Sequence, residues 1–134
     1  MKTTERWKRS ATSVNNINYH IIWCPKYRRP VLTDQIETRL KELLVSKSSS
    51  LGCQIHTLEV MPDHVHIFIS APPTLAPHFI IQQLKGYSAH TLRTEFPQLK
   101  SRLPNMWTRS YYIESTGALS EDGVIRYIEQ QKNR

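Results

Sequence analysis

Residues 54–70, which read QIHTLEVMPDHVHIFIS, decide the fold of this chain. Two stretches rich in β-branched and aliphatic residues, 54–60 and 64–70, are separated only by the residues MPD. A connection this short forces two neighbouring strands to run antiparallel. The sequence therefore predicts a β-hairpin near the middle of the chain.

The segments on both sides of this hairpin carry strand and helix patterns. Apolar residues at helical spacing predict helices, and clusters of β-branched and aromatic residues predict strands. The expected elements are a strand over 17–24 (INYHIIWC), a helix from Thr33 to about Gly52, the hairpin, a helix from about Pro77 to Phe96, a strand over 105–115 (NMWTRSYYIES) and a helix from Ser120.

This order, β-α-β-β-α-β with one more helix, matches the split βαβ motif. The predicted fold is α+β and ferredoxin-like, with an antiparallel sheet, two helices on one of its faces and a C-terminal helix. A length of 134 residues suits one hydrophobic core, so we expect a single domain over 1–134. In this topology Cys24 and Cys53 are not on neighbouring strands, and we expect both to be reduced.

The chain is strongly basic. Eighteen Lys and Arg outnumber eleven Asp and Glu, which gives a formal charge of +7. A polyanion is therefore the first partner to consider, although many basic proteins never bind nucleic acid. No apolar run approaches the roughly 20 residues that span a membrane, and no apolar segment of an export signal follows the basic start. We expect a cytoplasmic protein that does not enter a membrane.

Two histidines, His64 and His66, stand at the start of the second hairpin strand. Side chains alternate along a strand, so both imidazoles point to one face and Val65 points to the other. This arrangement suits a metal site, with Asp63 as an orienting or ligating carboxylate. The alternative is that both are ordinary exposed strand histidines, and the spacing alone does not separate the two interpretations.

Tyr127 and Gln131 are four residues apart on the predicted last helix, and therefore on one face. In the alternative interpretation, Tyr127 packs into the core and Gln131 is solvated. Together with the His pair, Gln131 would give mixed nitrogen and oxygen ligands, which suit Mg²⁺ or Mn²⁺ rather than a closed structural zinc site. A phenol beside a metal-polarised phosphate could displace an alcohol oxygen.

Several stretches resemble the small single-tyrosine HUH transposases of bacterial and archaeal insertion sequences, the TnpA-like group. The resemblance is carried by LEVMPDHVHIFIS, NMWTRSYYIES and the terminal VIRYIEQQ, and it covers nearly the whole chain. The opening NYHIIWCPKYRR is similar to the family's first strand and basic turn.

The resemblance implies a specific chemistry. In this family the two His of the HUH motif and a Gln four residues after the nucleophilic Tyr bind the metal, which corresponds to His64, His66, Gln131 and Tyr127 here. The family cuts single-stranded DNA at the ends of its element, forms a 5′-phosphotyrosine link and leaves a free 3′-OH. It recognises subterminal hairpins as a dimer. We therefore expect DNA hairpins as substrate, a homodimer in which the Tyr127 helix completes the partner's site, Mg²⁺ or Mn²⁺, and no organic cofactor.

Basic and aromatic residues outside this constellation are candidates for DNA contact, since a basic groove with stacking side chains is typical of single-strand binding. They are Lys26, Tyr27, Arg28, Arg29, Lys85, Arg93, Trp107 and Arg109. The main alternative function is a non-catalytic single-stranded nucleic-acid binding module of the same fold. Such modules carry aromatic and basic residues on the central strands, where this chain has His-Val-His. A replication-initiator or relaxase nuclease would share the chemistry but normally sits in a larger protein.

Overall fold

The computed structural model describes residues 8–9, 14–115 and 128–131. The strands are β1 Lys8–Arg9, β2 Val14–Asn15, β3 Asn18–Trp23, β4 Gln54–Met61, β5 His64–Ser70 and β6 Tyr112–Ser115. The helices are α1 Asp34–Ser50, α2 Pro77–Glu95 and α3 Gln98–Arg102. The predicted first strand, both long helices and the central hairpin are thus confirmed.

The main sheet has the strand order β4-β5-β3-β6, and every neighbouring pair in it is antiparallel. The first predicted strand, β3, lies between the third and fourth predicted strands, as the split βαβ motif requires. The α+β, ferredoxin-like prediction is therefore confirmed. Both cysteines are buried and free, in agreement with the expected reduced state.

The two faces of the sheet differ in chemistry because side chains alternate along each strand. Ile21, Trp23, Val65 and Ile67 belong to the hydrophobic core formed with α1 and α2. The opposite face carries His20 and the His pair. His66 is paired with Ile22, and paired residues on neighbouring strands point to the same face, which is not the face of Ile21. The long helices thus cover one face and leave the histidine face for other contacts.

The segment before β6 departs from the prediction. A strand was expected over 105–115, but β6 begins only at Tyr112. Trp107 instead forms an isolated bridge with Pro25, and its indole Nε1–H donates to the Lys85 carbonyl at 3.1 Å. The Trp107 ring packs edge-on against Trp23, and its buried indole N–H needs an acceptor, which the Lys85 carbonyl provides. These two contacts hold the segment around Trp107 away from the sheet.

Other elements lie beyond what the patterns predicted. The short helix α3 occupies a stretch expected to be a loop, and β1 pairs with β2 ahead of the main sheet. The helix expected from Ser120 falls largely outside the described residues, although residues 128–130 are helical. Among the helices of the described part of the chain, none has the length and apolar character needed to cross a bilayer.

Helix α1 offers a matched test of the core. Leu44 is fully buried, whereas its neighbour Val45 is 53% exposed. We expect Leu44→Ala to lower the free energy of unfolding by about 2–5 kcal/mol, because it removes buried methyl groups and leaves a cavity. Val45→Ala should change it by less than about 0.5 kcal/mol. Urea denaturation followed by circular dichroism measures both, and equal effects would contradict the packing described here.

Candidate active site

The His pair lies at the start of the central strand β5. His64 is opposite Met61 on β4, and His66 is opposite Glu59 on β4 and Ile22 on β3. The two imidazoles share the face that α1 and α2 leave uncovered, as the alternation predicted. Their side chains are only 18% and 15% exposed, so both rings are set into the surface rather than projecting from it.

Asp63 orients the first of these histidines. Its Oδ1 lies 2.9 Å from His64 Nδ1. A carboxylate in this position favours the tautomer with the proton on Nδ1 and leaves Nε2 free to bind a metal. The structure therefore gives Asp63 the orienting geometry, one of the two roles expected for it.

His66 has a different environment. Its Nδ1 lies 3.3 Å from Glu59 Oε1, and its Nε2 lies 3.4 Å from His20 Nδ1. The His20 ring stacks on Phe68 at a centroid distance of 4.5 Å. Burial, followed by the charge of His66, lowers the pKa of His20, which favours the neutral imidazole beside His66.

The C-terminal residues dock near the same end of the sheet. The Ile128 carbonyl accepts a hydrogen bond from Arg28 Nη1 at 2.8 Å, and Arg28 Nε also lies 3.0 Å from Asp63 Oδ2. Gln131 is buried, and its Oε1 accepts a hydrogen bond from Ser110 Oγ at 3.1 Å. The alternative of a solvated Gln131 is therefore wrong. Tyr127, the expected nucleophile, lies outside the described residues.

The His64 and His66 imidazoles lie on one face of the sheet, and His66 also contacts Glu59 and His20. Within residues 8–9, 14–115 and 128–131, no cluster of three or more His, Cys, Asp or Glu side chains could hold a metal by itself. A site on His64 and His66 would need further ligands. The carboxamide oxygen of Gln131 is the candidate from the sequence, and in this structure it accepts the hydrogen bond from Ser110. Imidazoles combined with oxygen ligands, as expected from the sequence, would suit Mg²⁺ or Mn²⁺ held with water and substrate oxygens.

Cys24 lies close to this region but is not a competing nucleophile. Burial, with a smaller effect from the Asp63 carboxylate, raises the pKa of its thiol to about 12. The thiol is therefore protonated at neutral pH, and a thiol without its thiolate form is unreactive.

The predicted DNA contacts fall into two groups. Tyr27, Arg29 and Arg109 are exposed, and the Lys26 ammonium lies 5.1 Å from the centre of the Tyr27 ring. These residues form an accessible basic and aromatic surface. The prediction that they contact DNA stays a prediction.

The second group faces the protein. Lys85 Nζ donates to the carbonyls of Thr108 and Ser110 at 2.6 and 3.2 Å, and burial lowers the pKa of its ammonium to about 8. Arg93 donates to the Pro104 carbonyl at 3.3 Å. Trp107 is only 7% exposed, so the expectation that it stacks on unpaired bases is wrong: its ring belongs to the core.

Sequence reasoning missed two contributors to the site. His20 lies beside His66, and Arg28 contacts the protein and not only solvent. The position of His20 could have been found from the predicted strand order, because alternate residues of β3 face the same side as the His pair. Nothing in the local sequence around Arg28 indicates a contact with a residue one hundred positions later.

A family model supplies the decisive comparison. The model for IS200-like transposases matches residues 13–131, which is most of the chain. The chain belongs to the IS200-like transposase family. It is therefore placed among the enzymes that cut and transfer DNA.

Individual relatives of this IS200-like transposase agree with the assignment. It is 37% identical over 129 residues to the ISDra2 transposase TnpA of Deinococcus radiodurans, covering 95% of this chain and 92% of that protein. It is 29% identical over 122 residues to the transposase for insertion sequence element IS200 of Salmonella typhimurium, covering 87% and 80%.

Solved structures have the same fold. The crystal structure of a candidate transposase from Deinococcus radiodurans matches with a TM-score of 0.87 and 34% identity, over 95% of this chain and 99% of that one. A REP-associated tyrosine transposase bound to a REP hairpin matches with a TM-score of 0.59 over 91% and 68%. At 12% identity, the second likeness shows the fold alone.

The exposed basic turn generates a prediction about DNA binding. Arg29→Ala should weaken binding of a single-stranded oligonucleotide and reduce the slope of log affinity against log salt by about one, because one phosphate contact is lost. Arg102→Ala, at another exposed arginine on α3, serves as the control and should leave the slope unchanged. Fluorescence anisotropy at several salt concentrations measures both. An unchanged slope for Arg29→Ala would show that this turn does not bind DNA.

Proposed function

We propose that this transposase is a metal-dependent, HUH-type enzyme that cleaves and rejoins single-stranded DNA through a 5′-phosphotyrosine intermediate. The observation that carries the proposal is the His pair on the uncovered face of the sheet, with an orienting carboxylate on His64 and the C-terminal residues docked at the same end. Membership of the family supports the reaction class.

Tyr127 is the proposed nucleophile. Its phenolic oxygen attacks the phosphorus of a DNA phosphodiester, a bond forms between that oxygen and phosphorus, and the bond from phosphorus to the 3′-oxygen breaks. The phenol loses its proton to solvent, and the departing oxygen takes up a proton to become a free 3′-OH. The phosphotyrosine ester keeps the bond energy, so a later 3′-OH can attack it and rejoin the strands.

His64, His66 and Gln131 are the proposed metal ligands. A bound Mg²⁺ or Mn²⁺ would polarise the scissile phosphate and so favour attack on phosphorus. Asp63 holds the His64 ring with Nε2 free, and Ser110 holds the carboxamide of Gln131 by its oxygen. For Gln131 to bind a metal through this oxygen, the Ser110 hydroxyl must share it, which the two lone pairs of a carbonyl oxygen permit.

DNA hairpins at the element ends are the proposed substrate, and a homodimer is the proposed assembly. The REP-associated tyrosine transposase, which has the same fold and was solved bound to a REP hairpin, supports the first. In the described residues, Ile128 and Gln131 contact Arg28 and Ser110 of their own chain. These contacts support a site in which one chain supplies both the His pair and the C-terminal residues. In a homodimer that exchanges the C-terminal residues, the same contacts would form between the two subunits.

Tyr127→Phe tests the nucleophile. It removes only the phenolic oxygen, so covalent protein–DNA adducts on a single-stranded hairpin substrate should disappear while hairpin affinity changes less than about twofold. Tyr87→Phe removes an exposed hydroxyl on α2 and should leave adduct formation unchanged. Denaturing gel electrophoresis detects the adduct. If Tyr127→Phe still forms it, another tyrosine is the nucleophile.

Loss of a ligand tests the metal. His66→Ala should abolish detectable cleavage and weaken Mn²⁺ binding together, because one of few ligands is removed. EDTA should have the same effect on the unaltered protein. His90→Ala, an exposed histidine on α2, is the matched control. Full cleavage in EDTA would contradict a metal-dependent mechanism, and hairpin binding without any cleavage would favour the non-catalytic binding module.

A further inference from the structure

The Arg28 guanidinium bridges two parts of the chain that are far apart in sequence. Its Nε lies 3.0 Å from Asp63 Oδ2, and its Nη1 donates to the Ile128 carbonyl at 2.8 Å. The other oxygen of the same carboxylate, Oδ1, lies 2.9 Å from His64 Nδ1. A continuous path of three polar contacts therefore joins His64 to the residue that follows Tyr127 in the sequence.

The side chains along this path are largely buried, which strengthens the interactions between their charges. The side chains of Arg28, Asp63 and His64 are 18%, 26% and 18% exposed. Charge-assisted hydrogen bonds are stronger and shorter than neutral ones, and partial exclusion of water reduces the screening of the Arg28–Asp63 pair. We therefore expect the Arg28–Asp63 pair to be stronger than an ion pair on an exposed surface.

The backbone of the turn holds Arg28 in place. Residues Lys26–Arg28 form one turn of 3₁₀ helix, in which Tyr27 and Arg28 have φ angles of 58° and 50°. Residues with a Cβ adopt this left-handed conformation only where their surroundings favour it. Here the Lys26 N–H donates to the Met106 carbonyl at 3.0 Å, and the Leu32 N–H donates to the Pro62 carbonyl at 3.0 Å. Backbone hydrogen bonds therefore hold the chain on both sides of the turn, and the bond to Pro62 is next to Asp63.

We propose that Arg28 is a positioning residue that sets the distance between the metal-binding His64 and the segment carrying Tyr127. This inference rests on the proposed function. In this role Arg28 acts through Asp63 on one side and through the Ile128 backbone on the other, rather than through a contact with metal or DNA. A planar guanidinium suits this bridge because Nε and Nη1 are separate nitrogens held in a fixed fork, so each can contact one of two separated acceptors. A lysine would have to reach both acceptors from a single nitrogen on a flexible chain.

This role differs from that of a DNA contact, and the two make opposite predictions for Arg28→Lys. A phosphate contact is a charge interaction, so lysine would largely preserve it. A positioning bridge depends on the fork geometry, so lysine would not. The matched control is Arg102→Lys, the same substitution at an exposed arginine on α3.

The experiment uses the full chain with Mn²⁺ and a single-stranded hairpin oligonucleotide. For Arg28→Lys, we expect the rate of adduct formation at saturating DNA to fall by about 10-fold, the lower end of the range typical when a direct partner of a metal ligand, here Asp63, is lost. DNA affinity and its salt dependence should stay within about twofold of the unaltered protein. Mn²⁺ affinity, measured by electron paramagnetic resonance without DNA, should fall in parallel with Asp63→Ala.

A spectroscopic signature separates positioning from a general loss of stability. The ¹⁵N resonances of the His64 ring report which nitrogen carries the proton, and both Arg28→Lys and Asp63→Ala should shift them away from a pure Nδ1–H tautomer. Arg102→Lys should leave them unchanged. Urea denaturation of each variant confirms that the compared proteins are folded, and the resonances of His90 provide an internal reference.

Two outcomes would overturn the proposal. The first is a wild-type saturating rate and Mn²⁺ affinity for Arg28→Lys. The second concerns Arg28→Ala and Arg28→Lys together. If Arg28→Ala loses only DNA affinity and salt slope, and Arg28→Lys has both at the level of the unaltered protein, Arg28 is a phosphate contact. Failure of the proposed function is separate: it would appear as no adduct with the unaltered protein, or as an adduct with Tyr127→Phe, whatever Arg28 does.

Discussion

Strand β5 is hydrogen-bonded along both edges, to β3 and to β4, and the rest of the structure depends on this double pairing. The pairing fixes which side chains of β5 face the helices. Val65, Ile67 and Ile69 complete the core, and His64 and His66 are left on the opposite face. A slip of one residue would bury two imidazoles and expose three aliphatic side chains. The hydrophobic core therefore determines the direction of the candidate metal ligands.

Positive charge is used inside this protein as well as on its surface. Lys85 and Arg28 both donate to backbone carbonyls, and each ties an irregular segment to a regular element. Lys85 joins α2 to the segment that precedes β6, and Arg28 joins the basic turn to the C-terminal residues. Not all of the eighteen Lys and Arg side chains are therefore available to a polyanion.

The sequence predicted those features that depend on local pattern. The hairpin, both long helices and the strand order follow from periodicity, short connections and the match of the element order to the split βαβ motif. The patterns failed where a single large side chain outweighed strand propensity, as at Trp107. They also could not show the bond from Arg28 to Ile128, because side-chain contacts between distant residues leave no periodic trace. The His pair was visible in the sequence. His20 could have been inferred from the predicted strand order, whereas the contacts of Arg28 with Asp63 and Ile128 required the structure.

The bond between Arg28 and Ile128 closes a loop of one hundred residues that contains the entire main sheet after β3. During synthesis, the strands that carry the histidines leave the ribosome well before residue 128 does, and chains generally fold from the N-terminal side as they emerge. The His pair can therefore be in place while the segment with Tyr127 is still being made. A nascent chain, or one cut after β6, would carry the candidate metal ligands His64 and His66 without the proposed nucleophile, Tyr127.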